Sequence, residues 1–162
     1  MSDAPHARPA GETIRAALER EHHEIDRGVE GFLAAGDVAP DSLRTAMAAL
    51  RRHIYLEEEL LFPPLREAGL LAPVLVMLNE HGELWRAMDA LEQQLDSGTP
   101  LAELHDAGSA LLAQLAAHNA KEEPILYGRA DEVLSADAAA QLHDFLAHEA
   151  LPDGWTCVRA VT

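Results

Sequence analysis

The chain has 162 residues, enough for one ordinary domain, with 12 Lys and Arg against 28 Asp and Glu and a formal net charge of −16. That charge repels nucleic acid and anionic membrane surfaces, and the longest apolar run, Leu70 to Leu78, is too short to span a bilayer. The single cysteine, Cys157, excludes an intrachain disulfide, and Met1 to His6 carry no signal-like apolar core, so a cytoplasmic location is the expectation.

Residues 1–12, with Pro5, Pro9 and Gly11, read as a disordered lead-in to a single domain over 13–162. The spacing of Ile14, Leu18, Ile25, Val29 and Phe32 predicts a first helix from Thr13 to Leu33. His22 falls on this apolar stripe and His23 does not. Gly28 and Gly31 weaken the helix but permit close packing. Gly36 to Pro40 read as a stop and turn, after which Asp41 or Ser42 can cap a second helix. Its stripe runs Leu43, Met47, Leu50, His53 or Ile54, Glu57 and Leu61, and Pro63-Pro64 should end it.

A third helix is predicted to start near Pro73, with Val74, Met77 or Leu78, His81, Leu84 or Trp85, Met88, Leu91 and Leu95 on one face, and to break at Asp96-Ser-Gly98. Thr99 and Pro100 then read as the cap and first residue of a fourth. Its stripe is Leu101, Leu104, Gly108, Leu111, Leu115, His118, Glu122 and Ile125, and Pro124 should kink or stop it. Ser135 can cap a short fifth helix through His148, with Leu142, Phe145 and Leu146 inward, and the tail around Trp155 and Cys157 is apolar enough to pack on something. Four amphipathic helices joined by short connections imply an all-α, up-down-up-down four-helix bundle with a short extra C-terminal helix. Ala46 and Ala116-Ala117 would let its helices approach closely.

Histidine is the anomaly, with 9 copies against 3 Phe, 2 Trp and 2 Tyr. Each of the four long helices carries one histidine on its apolar stripe: His22, His53, His81 and His118. Two stretches repeat one pattern, His53-x-x-x-Glu57-Glu58-x-x-Leu61-Phe62 and His118-x-x-x-Glu122-Glu123-x-x-Leu126-Tyr127. Positions i and i+4 share a helix face, so each stretch aims an imidazole and a carboxylate at one point. The remaining histidines, His6, His23, His105 and His143, read as solvated, and His148 fits either class.

A lone histidine on an apolar stripe is more often a hydrogen-bonded core residue than a ligand. Six such residues are a different matter, because uncompensated carboxylates in an apolar bundle each cost several kcal/mol, by order of magnitude, unless a cation or charged imidazoles offset them. Four imidazoles and two carboxylates exceed what one tetrahedral zinc takes. Divided over two ions, they give two histidines per metal with Glu57 and Glu122 bridging, and nitrogen and oxygen donors without thiolate suit iron, with manganese second. The order His-x-x-x-Glu differs from the Glu-x-x-His pairs of ferritin-like bundles.

At Glu21-His22-His-Glu-Ile25, His53-x-x-x-Glu57-Glu58, Glu80-His81 and His118-x-x-x-Glu122-Glu123 the chain resembles the hemerythrin-like (HHE cation-binding) family, over roughly Thr13 to Tyr127. The resemblance implies a four-helix bundle around two non-haem irons, oxo- or hydroxo-bridged, with ligands at His22, His53, Glu57, His81, His118 and Glu122. It also implies a small ligand, O2, NO or H2O2, bound or reduced there. Oxygen-carrying members have a second histidine four residues after the third-helix ligand, where this chain has Trp85. With four histidines both irons should keep an exchangeable position unless water or Trp85 shields one, which favours reaction at the metals over reversible carriage. Iron storage, delivery or sensing is the other role the resemblance allows. Glu21 and Glu80, beside the stripe histidines, are candidate acids near the metals.

Overall fold

Ile14, Leu18, His22, Ile25, Val29 and Phe32 recur at intervals of three and four and form the buried face of α1 (Ile14–Ala34). The same logic builds the rest of the chain, for which the computed structural model describes residues 11–34 and 40–161. The second helix comprises α2 (Asp41–Leu56), a π-turn (Glu57–Leu61) and α3 (Phe62–Glu67) in unbroken succession. After α4 (Leu71–Asp96) comes a second composite helix, α5 (Leu101–Glu122), a π-turn (Glu123–Tyr127) and α6 (Gly128–Val133), and then α7 (Ala136–His148). No strand occurs among the described residues. The lead-in over 1–10, His6 and the turn at 36–39 lie outside them.

Helix α1 packs on α2 and α5, and α4 packs on α5 and α2, so the four long helices enclose a common interior. That interior is two apolar clusters, one around Ile25, Phe32, Met47, Leu50, Met88 and Leu115, the other around Leu18, Leu61, Phe62, Leu65, Val74 and Tyr127. Between them lies a polar layer. His22 falls between Leu18 and Ile25, and His81 between Leu78 and Leu84, at the boundary of the two clusters.

Helix ends depart from the expectations in several places. Pro63-Pro64 does not end the second helix, and Pro124, expected to kink or stop the fourth, falls in a π-turn that interrupts the α-helix after Glu122 without ending the composite helix. In each case a π-turn precedes or contains the proline, and its hydrogen bond spans five residues (Phe62 N–H to the Glu57 carbonyl, Gly128 N–H to the Glu123 carbonyl). That wider spacing absorbs the register shift that a missing proline N–H would otherwise leave as a break. The extra residue also turns Ile125 outward, at 45% exposure, and carries Leu126 and Tyr127 fully inside. Neither Asp41 nor Thr99 caps its helix, for Pro40 and Pro100 occupy the N-cap positions without a side-chain bond. Ser135 does cap α7, its hydroxyl accepting from the Ala138 N–H at 3.1 Å.

Close packing is real at one of the two glycines. A Cβ on Gly28 would lie 2.8 Å from the Cβ of Ala46, whereas one on Gly31 would meet nothing within 4 Å. Ala116 and Ala117 face solvent rather than a neighbouring helix. His23 and His148 are exposed, but His105 and His143 are half-buried, His105 lying edge-on to Phe32 with ring centroids 5.2 Å apart. The C-terminal tail packs back on the bundle: Trp155 meets Trp85 edge-on at 5.6 Å, and Cys157 is buried.

Candidate metal centre

The residues singled out by periodicity meet in the polar layer. His22, His53, Glu57, His81, His118 and Glu122 are all at most 3% exposed, each contributed by a helix whose other stripe residues are core. They form two overlapping groups, His22, His53, Glu57 and Glu122, and Glu57, His81, His118 and Glu122, in each of which one donor atom per residue lies within 4.8 Å of the others. Glu57 and Glu122 belong to both. Each imidazole turns Nε2 toward these carboxylates: His53 and His118 lie 3.3 Å from Glu57 Oε1 and Glu122 Oε1, His22 lies 3.4 Å from Glu122 Oε1, and His81 lies 3.5 Å from Glu57 Oε1.

The other nitrogen of every ring is held from outside by a carboxylate on a neighbouring helix. Glu21 of α1 takes His53 Nδ1 at 2.9 Å, Glu58 of the first π-turn takes His81 Nδ1 at 2.8 Å, Glu80 of α4 takes His118 Nδ1 at 3.3 Å, and Glu123 of the second π-turn takes His22 Nδ1 at 3.0 Å. The four contacts run round the bundle in a closed ring, each helix supplying a glutamate to the next. A carboxylate at Nδ1 fixes that nitrogen as an N–H donor and aims Nε2 inward, where its lone pair becomes available once the ring gives up its second proton, the arrangement that metal-binding imidazoles require.

Periodicity alone missed Tyr127. Its hydroxyl donates to Glu57 Oε2 at 2.7 Å and lies 2.9 Å from Nε2 of both His22 and His53. It was visible as the aromatic that closes the second repeat, but the π-turn is what swings it into the centre. Trp85, which stands where oxygen-carrying members have a further histidine, packs between Trp155 and the Arg51 guanidinium. Glu58 and Glu123 were legible as the second member of each Glu-Glu doublet. Glu21 and Glu80 hold histidines of the next helix rather than the ones beside them in sequence.

Whether this set suits a cation is answered by its unsatisfied atoms. Glu57 Oε1, both carboxylate oxygens of Glu122 and His81 Nε2 are buried and have no hydrogen-bond partner. Buried acceptors in that state are unfavourable, and a cation shared between them removes the deficit. The protons report the same field. Burial opposes charge on His22, but the approach of the Glu122 carboxylate to 3.4 Å and the charges of Glu122 and Glu57 outweigh it and raise its pKa to about 9. His81, likewise opposed by burial and favoured by Glu57 and Glu58, rises to about 10. Glu122 is held well below the usual carboxylate range because His118 and His22 outweigh its burial. Burial and the two central carboxylates push the Tyr127 hydroxyl well above its ordinary value, so it remains a proton donor.

A groove of about 320 Å³ between α4 and α5, lined by Glu80, Leu84, His118 and Lys121 among others, reaches the edge of this layer. No helix of the described residues is long and apolar enough to cross a membrane. Nothing matches the chain among curated proteins or among solved structures. A family model, the hemerythrin HHE cation-binding domain, matches residues 13–130, a span that contains every residue of the polar layer. The chain therefore belongs to the hemerythrin HHE cation-binding domain family.

Proposed function

We propose that the polar layer is a non-haem di-iron centre that binds or reduces a small oxidant or diatomic ligand, O2, NO or H2O2, inside an up-down-up-down bundle in the cytoplasm. The carrying observation is the pair of overlapping His2Glu2 groups that share Glu57 and Glu122. Alternation of the helices is supported by the order in which each crosses the two apolar clusters: Leu18 then Ile25 in α1, Leu50 then Leu56 in α2, Val74 then Met88 in α4, and Leu115 then Leu126 along the last composite helix.

In this reading His22 and His53 would hold one ion and His81 and His118 the other, with Glu57 and Glu122, which belong to both groups, available to each. Nitrogen and oxygen donors without thiolate favour iron over zinc, and manganese is the second choice. Iron there supplies redox chemistry and exchangeable positions for a small ligand. The protein's own part is positional. Glu21, Glu58, Glu80 and Glu123 hold the imidazole rings in one tautomer and orientation. Tyr127 keeps the proton on its hydroxyl and donates it in a hydrogen bond to Glu57 Oε2, so it would hold that carboxylate oriented toward a bound ion. Small ligands enter from the α4/α5 groove, past the Lys121–Glu80 ion pair at 2.6 Å.

Reconstitution with ferrous iron tests this. The oxidised protein should show an oxo-bridged diferric absorption spectrum that changes on adding azide, NO or peroxide. A chain that takes up no iron, or whose spectrum ignores all three, contradicts the reading. A second role, iron storage or sensing without turnover, is favoured by the unpartnered carboxylate oxygens, because losing the ions would leave them uncompensated in the core. It predicts a large melting difference between metal-free and loaded protein with no catalytic consumption of peroxide.

A further inference from the structure

The family match ends at residue 130, but the chain continues through α7 and a tail that return to the metal centre. Two contacts make that return, and both end on a carboxylate that holds a histidine.

The first passes through Arg52. Its Nη2 donates to the carbonyls of Phe145 and Leu146 at 2.7 and 2.9 Å, its Nε donates to the carbonyl of Glu149 at 2.9 Å, and its guanidinium lies over the Phe145 ring at 4.9 Å. It thus caps the C-terminal end of α7, where carbonyls lack helical partners. Its Nη1 donates to Glu21 Oε2 at 3.1 Å, and the other oxygen of Glu21 holds His53. The second contact is made by the tail. The Val158 N–H donates to Glu58 Oε1 at 3.0 Å, while Glu58 Oε2 holds His81. The Arg159 carbonyl accepts from Arg86 at 2.8 Å, Trp155 Nε1 donates to Glu59 at 3.1 Å, and Cys157 is 2% exposed. Gly82, directly after His81, is what lets the tail lie so close: a Cβ there would collide with the Arg159 carbonyl, and would lie 2.8 Å from the Arg159 Cβ.

We propose that residues 136–160 form a brace that positions His53 and His81 for metal binding, so that docking of the brace and loading of the centre are linked. The proposal rests on the metal-centre reading above. Each of Glu21 and Glu58 has one oxygen on an imidazole; the other oxygen of Glu58 is held directly by the Val158 N–H, and that of Glu21 by Arg52, whose remaining donors hold the end of α7, so neither carboxylate can swing without releasing both its histidine and its link to the C-terminal segment. The brace therefore steadies one histidine in each His2Glu2 group. Because linkage is reciprocal, iron must favour the docked brace by the same factor by which the docked brace favours iron.

The test uses the full chain, wild type and the variants Gly82→Ala and Arg52→Met, each with and without iron. Uptake of ferrous iron, the diferric spectrum, far-ultraviolet helicity and the rate at which Cys157 reacts with an aromatic disulfide are measured. The proposal predicts that iron slows Cys157 by at least about tenfold in the wild type, a mark of brace docking. It further predicts that both variants stay helical, that each binds iron about 10 to 100-fold more weakly with an altered spectrum, and that Gly82→Ala speeds Cys157 in both states. Should Gly82→Ala not fold, Val158→Pro, at a residue 65% exposed, removes the N–H that Glu58 accepts without adding bulk against α4, and must give the same loss of iron affinity. A wild type that loads iron, beside variants that load with equal affinity and identical spectra and a thiol rate indifferent to iron, overturns the brace alone. A wild type that takes up no iron overturns the metal-centre reading and the brace with it.

Discussion

Tyr127 donates its hydroxyl proton to Glu57 across 2.7 Å in a layer where both residues are fully buried. That bond is the hydrogen bond Glu57 Oε2 makes to a hydroxyl, while Glu57 Oε1 makes no hydrogen bond and has only the His53 and His81 Nε2 atoms near it, at 3.3 and 3.5 Å. Removing it by Tyr127→Phe strands a buried carboxylate oxygen, a loss of about 1–3 kcal/mol. The loss should appear in urea unfolding of the metal-free protein and be smaller after iron loading, because a bound cation satisfies the same carboxylate. Equal shifts in the two states would count against this view of Glu57.

Glu122 and His118 lie one helical turn apart on α5, yet they should fail differently. Glu122 belongs to both donor groups and His118 to one. Glu122→Ala should therefore abolish iron uptake, whereas His118→Ala should retain about half of it, with one ion's geometry preserved. Metal analysis of the two variants decides. Full iron content in Glu122→Ala would show that the carboxylate is not shared.

The metal-free protein should lose stability as pH rises. His22 and His81 titrate at about 9 and about 10 when folded, above the ordinary 6.5, because the neighbouring carboxylates outweigh burial. Folding thus favours their charged forms, a contribution fully present below 6.5 and lost as pH climbs through 9 to 10. Glu21 and Glu122 have lowered values, so their contribution is present above 4.5 and lost as pH falls through their folded values. Urea midpoints of metal-free protein should fall between about pH 6 and pH 9. Iron uptake should strengthen over that interval, since ligand imidazoles must shed their protons first. A metal-free midpoint that climbs over the same range would contradict the charge pairing.

Two glycines three residues apart in α1 should respond oppositely to alanine. Gly28→Ala forces a methyl to within 2.8 Å of Ala46 Cβ and should destabilise by about 1–3 kcal/mol. Gly31→Ala meets nothing and gains helix propensity, about 0.5–1 kcal/mol. Thermal melts of both would expose an error if their signs agreed.

Much of the interior was legible because a 3.6-residue repeat reports burial directly. That is why His22 rather than His23 could be placed inside, and why four histidines and two glutamates from four helices could be expected at one level. The π-turns were not legible. Proline reads as a helix breaker, and nothing in Glu57 to Leu61 or Glu123 to Tyr127 signals a five-residue hydrogen bond in advance. Missing them misplaced Ile125 and hid Tyr127. The ring of outer glutamates was half visible: doublets such as Glu57-Glu58 and Glu80-His81 place a second carboxylate near each imidazole. Which histidine each one holds depends on which helices are neighbours, and that is a property of the packing. Cys157 and Trp155 carried enough apolar character to predict docking, but their target on α4 is set by Gly82, whose role appears only when the Arg159 carbonyl is seen against it.

The most direct test of the central claim is the iron content of the reconstituted wild-type chain, read together with Mössbauer spectra of the oxidised protein. Two bridging carboxylates and two imidazoles per ion predict about two irons per chain, coupled as one diferric pair. One uncoupled iron, or none, in a chain that remains fully helical would contradict it.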